Sequence, residues 1–224
     1  MGKYVHKFST VTDYDAVKYT LIRPHISKVQ ESSQICWKKA VNKSNGSNIE
    51  YVDLGLPSDN LWAAMNLGAS TTADLGSQYA WGELTTKETF TPQTYRWTSE
   101  YTKYNPTDGK IYLDLEDDVA HTTLGSRWYI PTIEDINELI QNTTYRYDSN
   151  NSYYILTSKL NGNQIIFPSL NIWSNKRYPT SSSTPTAYQL AYKMGLYEGE
   201  WSNYLEIGDA FRFSSGCYIR PVYK

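Results

Sequence analysis

Nucleophilic hydrolysis needs a base beside its nucleophile, and the 224-residue chain offers three histidines, His6, His25 and His121. Two lie in the first 45 residues, the third falls inside a helical pattern, and no G-x-S-x-G elbow accompanies them. Cys36 and Cys217 are far apart and outside any cysteine-rich motif, so idle or buried thiols are expected. The densest group of hard oxygen ligands is Asp114, Glu116, Asp117 and Asp118, of the kind calcium prefers. Consecutive residues of a helix point in different directions, however. The unpaired N–H groups of a helix's first turn account for such acids without a metal. The expectation is no catalytic group, no metal and no cofactor.

What remains is contact chemistry. Tyrosine is in excess, with 21 Tyr against 5 Phe. Tyr offers a large, stiff, amphipathic surface that loses little rotamer entropy on binding. Residues 171–224 hold 11 of the 33 aromatics in just under a quarter of the length, which directs attention to the C-terminal strands and loops. There Tyr197, Trp201, Tyr204 and Phe211 are interspersed with Glu198, Asn203, Asp209 and Arg212, the aromatic and polar mixture of contact surfaces. Period-2 alternation turns about half of the aromatics inward, and Trp201 and Phe213 are assigned to the interior. The candidate binding set is Tyr197, Glu198, Asn203, Tyr204, Asp209 and Arg212, facing a protein or glycan surface.

The elements that position this set are organised around LDLEDDVAHTTLGSRWYIPT, Leu113 to Thr132. The three acids open a short helix, Gly125 stops it, and Arg127 and Trp128 follow on a short extended piece. Trp128 is expected inside, with Arg127 paired to an acid or capping carbonyls. Thr132 with Asp135 makes a variant capping box, and Ile133, Ile136, Leu139 and Ile140 share one helical face. Before this hub, Ile49 to Leu54 and Leu61 to Met65 read as a hairpin, and Thr71 to Gly76 as a helical turn. Tyr95, Trp97, Tyr101 and Tyr104 should pin the aperiodic loop between Gln93 and Gly109. After it, Tyr153 to Ser158 and Gln164 to Phe167 flank Asn161-Gly162, a strong hairpin signal. Ser169 to Pro185 reads as loop, and strands are expected at Tyr188 to Met194, Glu200 to Tyr204 and Ser215 to Val222.

A formal charge of −2 conceals an asymmetry. Residues 1–45 carry eight Lys/Arg against three acids, and the remainder 13 against 20. A basic arm on an acidic domain either docks onto an acidic surface or is simply solvated. The arm has too few apolar residues for a core of its own. The polar run Asn42 to Asn48 suggests a boundary, giving an attachment or assembly segment at 1–45 and a domain at 46–224. Lys3, Lys7, Lys18 and Arg23 are its candidate attachment residues. An acidic domain without a basic groove repels phosphates, which argues against nucleic acid. No apolar run reaches the length of a membrane span. The first residues have no apolar signal region, so no secretory signal peptide is expected.

The hub segment, together with YVDLGLPSDNLWAAMNLGAS from Tyr51, YAWGE from Tyr79, YNPTDGK from Tyr104 and YIRPV from Tyr218, resembles the major paralogous domain family of gut bacteria and their phages. That family is related to the variable proteins of diversity-generating retroelements. The resemblance covers about Ile49 to Val222 in the expected order. It implies an α+β, C-type-lectin-like fold with small antiparallel sheets and two main helices. Where the family carries S-G-T, this chain has Ser58-Asp59-Asn60, and Asp and Asn tolerate the left-handed conformation such a turn needs. The E-P-N, Q-P-D and W-N-D motifs of calcium-dependent sugar lectins do not occur. The resemblance implies a non-enzymatic virion protein, a head fibre or decoration or a tail-associated fibre. It would attach to capsid or other virion proteins through its N-terminus and present C-terminal loops to a host protein or glycan. A homo-oligomer is expected, a trimer first. The alternative is a bacterial or retroelement-diversified surface adhesin, and the third reading an oxidase like the formylglycine-generating enzymes.

Overall fold

The computed structural model describes residues 38–41, 48–97, 101–125, 127–180, 186–198, 203–213 and 217–224. All of them belong to one compact unit, Cys36–Lys224. The architecture is α+β: small antiparallel sheets with few helices. Strands β1 (Lys38–Val41), β2 (Asn48–Val52), β3 (Leu61–Ala63), β4 (Trp128–Tyr129) and β11 (Val222–Tyr223) form a five-stranded sheet in the order β1-β2-β3-β11-β4. Strands β5 (Thr143–Asp148), β6 (Tyr153–Ser158) and β7 (Gln164–Phe167) form a second sheet. Strands β8 (Ile172–Arg177), β9 (Leu190–Glu198) and β10 (Asn203–Phe211) form a third, in the order β10-β9-β8. Helices α1 (Val119–Leu124) and α2 (Ile133–Asn142) lie between β3 and β5 in the chain.

The hub folds for the reasons its sequence suggests. Asp118 caps α1, its carboxylate accepting from the His121 N–H, and Gly125 ends it at φ 101°. Thr132 and Asp135 form the reciprocal capping box of α2, with Ile136 and Leu139 buried beneath. Trp128 is buried against Ala63, with its ring 5.1 Å from that of Tyr223. Arg127 takes a different role from the one expected: its guanidinium stacks 4.4 Å over the Tyr223 ring, on the exposed side of the sheet. Asp59 adopts φ 58°, the left-handed turn that its position required.

Four expectations are corrected. Residues Lys38–Val41, before the expected boundary, pair with Asn48–Tyr51 after it, and the compact unit begins at Cys36, ten residues before that boundary. Thr71 to Gly76 is a turn held by the Asp74 carboxylate on Ser70 and Thr71 rather than a helical turn. Strand β8 lies inside the stretch expected as loop, and β5 was not anticipated at all. The last strands also run later and longer: β9 and β10 are nine residues each, and only Val222–Tyr223 of the terminal stretch is a ladder strand.

Two cores hold the unit. One gathers Trp62, Ile136, Leu139, Phe167, Met194, Leu205 and Val222 between α2 and the sheets. The other is aromatic and pins the long loop as expected: Tyr95, Trp97, Tyr101 and Tyr104 are all buried with Trp81 and Trp173. Edge-to-face contacts at 5.2 Å join Trp81 to Tyr104 and Tyr104 to Trp97, the geometry ring quadrupoles favour. A Cβ on Gly82 would meet the Trp97 ring at 2.5 Å, so this close approach requires glycine.

Candidate binding surface

The candidate set depends on the β9–β10 hairpin. Its nine cross-strand pairs run from Leu190↔Phe211 to Glu198↔Asn203. Side chains alternate across such a ribbon. Met194, Leu196, Leu205 and Ile207 share one face and pack into the first core. Tyr197 and Tyr204 face each other on the opposite side, 45% and 48% exposed, with rings stacked 4.8 Å apart at 28°. Glu198 and Asn203 form the next, exposed pair. The Tyr145 hydroxyl donates to the Asn203 carbonyl at 2.6 Å, tying this end of the ribbon to β5. Four of the six candidates therefore sit at one exposed hairpin end, the Tyr197–Tyr204 pair on one face and, by alternation, the Glu198–Asn203 pair on the other.

Asp209 and Arg212 do not join them. Asp209 is exposed but pairs with Tyr192, five residues along the strand from Tyr204, about 17 Å at strand rise. It belongs to a different patch, where Tyr178 and Tyr192 stack at 3.9 Å. Burial and a hydrogen bond to Asp209 push the Tyr178 phenol upward, so it stays protonated. Arg212 is corrected outright, because it is wholly buried. Its Nε donates to the Tyr95 hydroxyl at 3.0 Å, Nη1 to the carbonyls of Tyr104 at 2.8 Å and Tyr188 at 3.2 Å, and Nη2 to the carbonyl of Lys103 at 2.9 Å. The rings of Trp81, Tyr101, Tyr95, Trp97 and Tyr104 surround the guanidinium at 4.8 to 5.7 Å. A delocalised cation that hydrogen-bonds in plane and stacks out of plane suits such an interior. The flanking aromatics of Phe211-Arg212-Phe213 were the available hint.

The acidic cluster is already neutralised by bases. Ligand oxygens of Asp114, Glu116 and Asp117 lie within 4.8 Å of one another. Lys103 Nζ reaches Asp114 at 2.8 Å and Glu116 at 2.9 Å and also pairs with Asp117. Arg96 bonds Asp117 at 2.7 Å, and Lys110 bonds Asp114 at 2.6 Å. Burial alone lowers the Lys103 pKa, but its bonds to Asp114, Asp117 and Glu116 outweigh that and raise it. In turn Lys103 and Lys110 hold the Asp114 carboxyl below its usual range. The Cys217 thiol is buried, and burial pushes it up to about 12, where it is a poor nucleophile. His121 lies in α1 and makes its backbone bond to Asp118.

Lys3, Lys7, Lys18 and Arg23, together with His6, His25, Cys36 and Trp201, lie outside the described residues. No described helix is long and apolar enough to cross a membrane. No family model, curated protein or solved structure matches the chain. The class the fold defines is an α+β domain of small antiparallel sheets, carrying an aromatic hairpin end.

Proposed function

We propose that this chain is a non-enzymatic binding and display protein. In this reading a C-type-lectin-like domain of the major paralogous domain family is carried on a phage particle, as a head fibre, capsid decoration or tail-associated fibre. Its N-terminal segment attaches to capsid or other virion proteins, in a homo-oligomer with a trimer as first expectation. The hairpin end formed by Tyr197, Glu198, Asn203 and Tyr204 faces a host protein or glycan. The observation that carries the binding part is the solvent-facing Tyr197–Tyr204 stack, two large aromatics left nearly half exposed on a ribbon whose other face is anchored in the core. Aromatic side chains exposed together on a rigid support are the anchors that interfaces use. The buried, high-pKa Cys217 supports the non-enzymatic reading. The family and virion parts rest on the ordered sequence motifs.

The test has two arms. Blotting purified particles for the chain addresses carriage on a virion; absence from particles, with the protein found at the bacterial surface, selects the adhesin instead. Replacing Tyr197, Asn203 and Tyr204 together with Ala addresses binding. Exposed substitutions cost within about 0.5 kcal/mol each. The melting temperature and particle incorporation should therefore stay near wild type while adsorption to host cells is lost. Unchanged adsorption by the triple variant removes the hairpin end from recognition.

A further inference from the structure

A groove of about 410 Å³, sharing Glu198 with the hairpin end, opens between the β5–β6 hairpin, the turn after β7 and the outer part of β9. Tyr147 and Tyr154 form one wall as a cross-strand pair, with ring centroids 4.9 Å apart and tilted at 51°, and Tyr147 is half exposed. Lys193 and Glu198 approach from β9, and Asn171 from the turn. The Lys193 ammonium is held in place by the Asn171 Oδ1 at 2.8 Å. It lies over Gly195, where a Cβ would come 3.1 Å from Nζ, a close contact that the flexible lysine relieves by a shift of a few tenths of an ångström. The Tyr154 phenol is pushed up by burial first, and further by Tyr147 and Glu198, so it remains a neutral donor.

We propose that this groove binds a neutral oligosaccharide. Its size falls in the range of small-molecule sites. The lining combines aromatic rings with donors (the Asn171-held Lys193 and the tyrosine hydroxyls) and a carboxylate acceptor. A sugar presents matching groups: an apolar C–H face for the rings, and hydroxyls that each donate and accept. Lys193 and Glu198 are the two charged residues of the lining and their charges cancel. A polyanion would gain nothing from the lysine that it did not lose to the glutamate. Neither the Tyr197–Tyr204 stack nor carriage on a virion is required for this site.

A printed array of neutral and acidic oligosaccharides, probed with the full chain, tests the proposal. Signal on neutral glycans is expected, and it should fall about tenfold in Tyr147→Ala, the loss of one aromatic anchor. Glu198→Gln, which keeps the side-chain shape, should also weaken it. Circular dichroism on each variant separates lost binding from lost fold, and the half-exposed Tyr147 makes Tyr147→Ala the variant to rely on. The double variant Tyr197→Ala/Tyr204→Ala should keep the array signal even where it loses cell adsorption, which separates this site from the hairpin end. Binding only to acidic glycans, no signal on any neutral glycan, or an undiminished signal from folded Tyr147→Ala would each overturn the assignment.

Discussion

Three arginines, Arg177, Arg212 and Arg220, are buried at no more than 2% exposure, and main-chain carbonyls are the chief partners of all three. Arg220 reaches Ala63 O, Ala64 O and Ile166 O as well as Asn66 Oδ1. Arg177 reaches Lys110 O, Tyr178 O and Asn105 O. Irregular loops leave carbonyls that no ladder satisfies, and a five-donor fork can gather several from distant segments at once. Burial pushes Arg220 down to about 9, which still leaves it charged at neutral pH. Arg212→Ala should therefore lower unfolding free energy by at least about 3 kcal/mol in urea denaturation, since several buried acceptors lose their partner. Arg212→Lys should restore only part of it, because an ammonium lacks the planar fork. A surface role for Arg212, as its place in the aromatic and polar mixture of residues 197–212 suggested, predicts instead a change within about 0.5 kcal/mol.

At the scale of elements, caps and turns were legible because their chemistry is local. Thr132 with Asp135, Gly125 and Asn161-Gly162 each act within a few residues, and the chain shows them in place. Tertiary structure adds a second role to the first of these. The Asp135 carboxylate also accepts from Asn60 Nδ2 at 2.7 Å, and the neighbouring Glu138 accepts from the N–H and hydroxyl of Ser58. The N-terminal turns of α2 thus anchor the β2–β3 connection as well as the helix. Thr132→Ala should cost about 1 kcal/mol, the usual value of an N-cap. Asp135→Ala should cost more, since it also strands the buried Asn60 amide. Thermal or urea melts of the two variants compare the costs directly; equal losses would mean the Asn60 bond contributes nothing. Strands β5 and β8 escaped the sequence reading for the opposite reason. IWSNKR of β8 has weak alternation, and TTYRYD of β5 follows directly on α2 with no turn residue to mark its start; pairing with β9 and β6 makes them strands.

For the whole molecule, closure is long-range. Val222 pairs with both Trp62 and Tyr129, so the last strand of the chain lies between β3 and β4 inside the first sheet. Folding of that sheet must wait for residues at opposite ends of the domain to meet, the kind of non-local contact that slows folding. Deleting residues 1–35 should leave Cys36–Lys224 folded, with one cooperative urea transition by circular dichroism. Deleting 1–45 also removes β1 and bares the edge of β2, and should lower the transition midpoint. An unfolded product from the shorter deletion would show that the first segment completes the core.

The sequence by itself determined the α+β class, the hub with its caps, the aromatic pinning of the long loop, and four residues that share one exposed hairpin end. The α+β class came with the family resemblance; the rest follow from interactions between near neighbours and from periodicity, which a linear pattern records. Only the tertiary structure decided which face each side chain took where pattern was ambiguous. Arg212 and Asp209 are three residues apart in one aromatic-rich stretch, yet one is sealed among rings and the other meets solvent. Likewise Tyr147, Tyr154, Asn171 and Lys193 form one groove only because two sheets bring them together. Burial is a property of packing between distant segments, so no local signal could have assigned it.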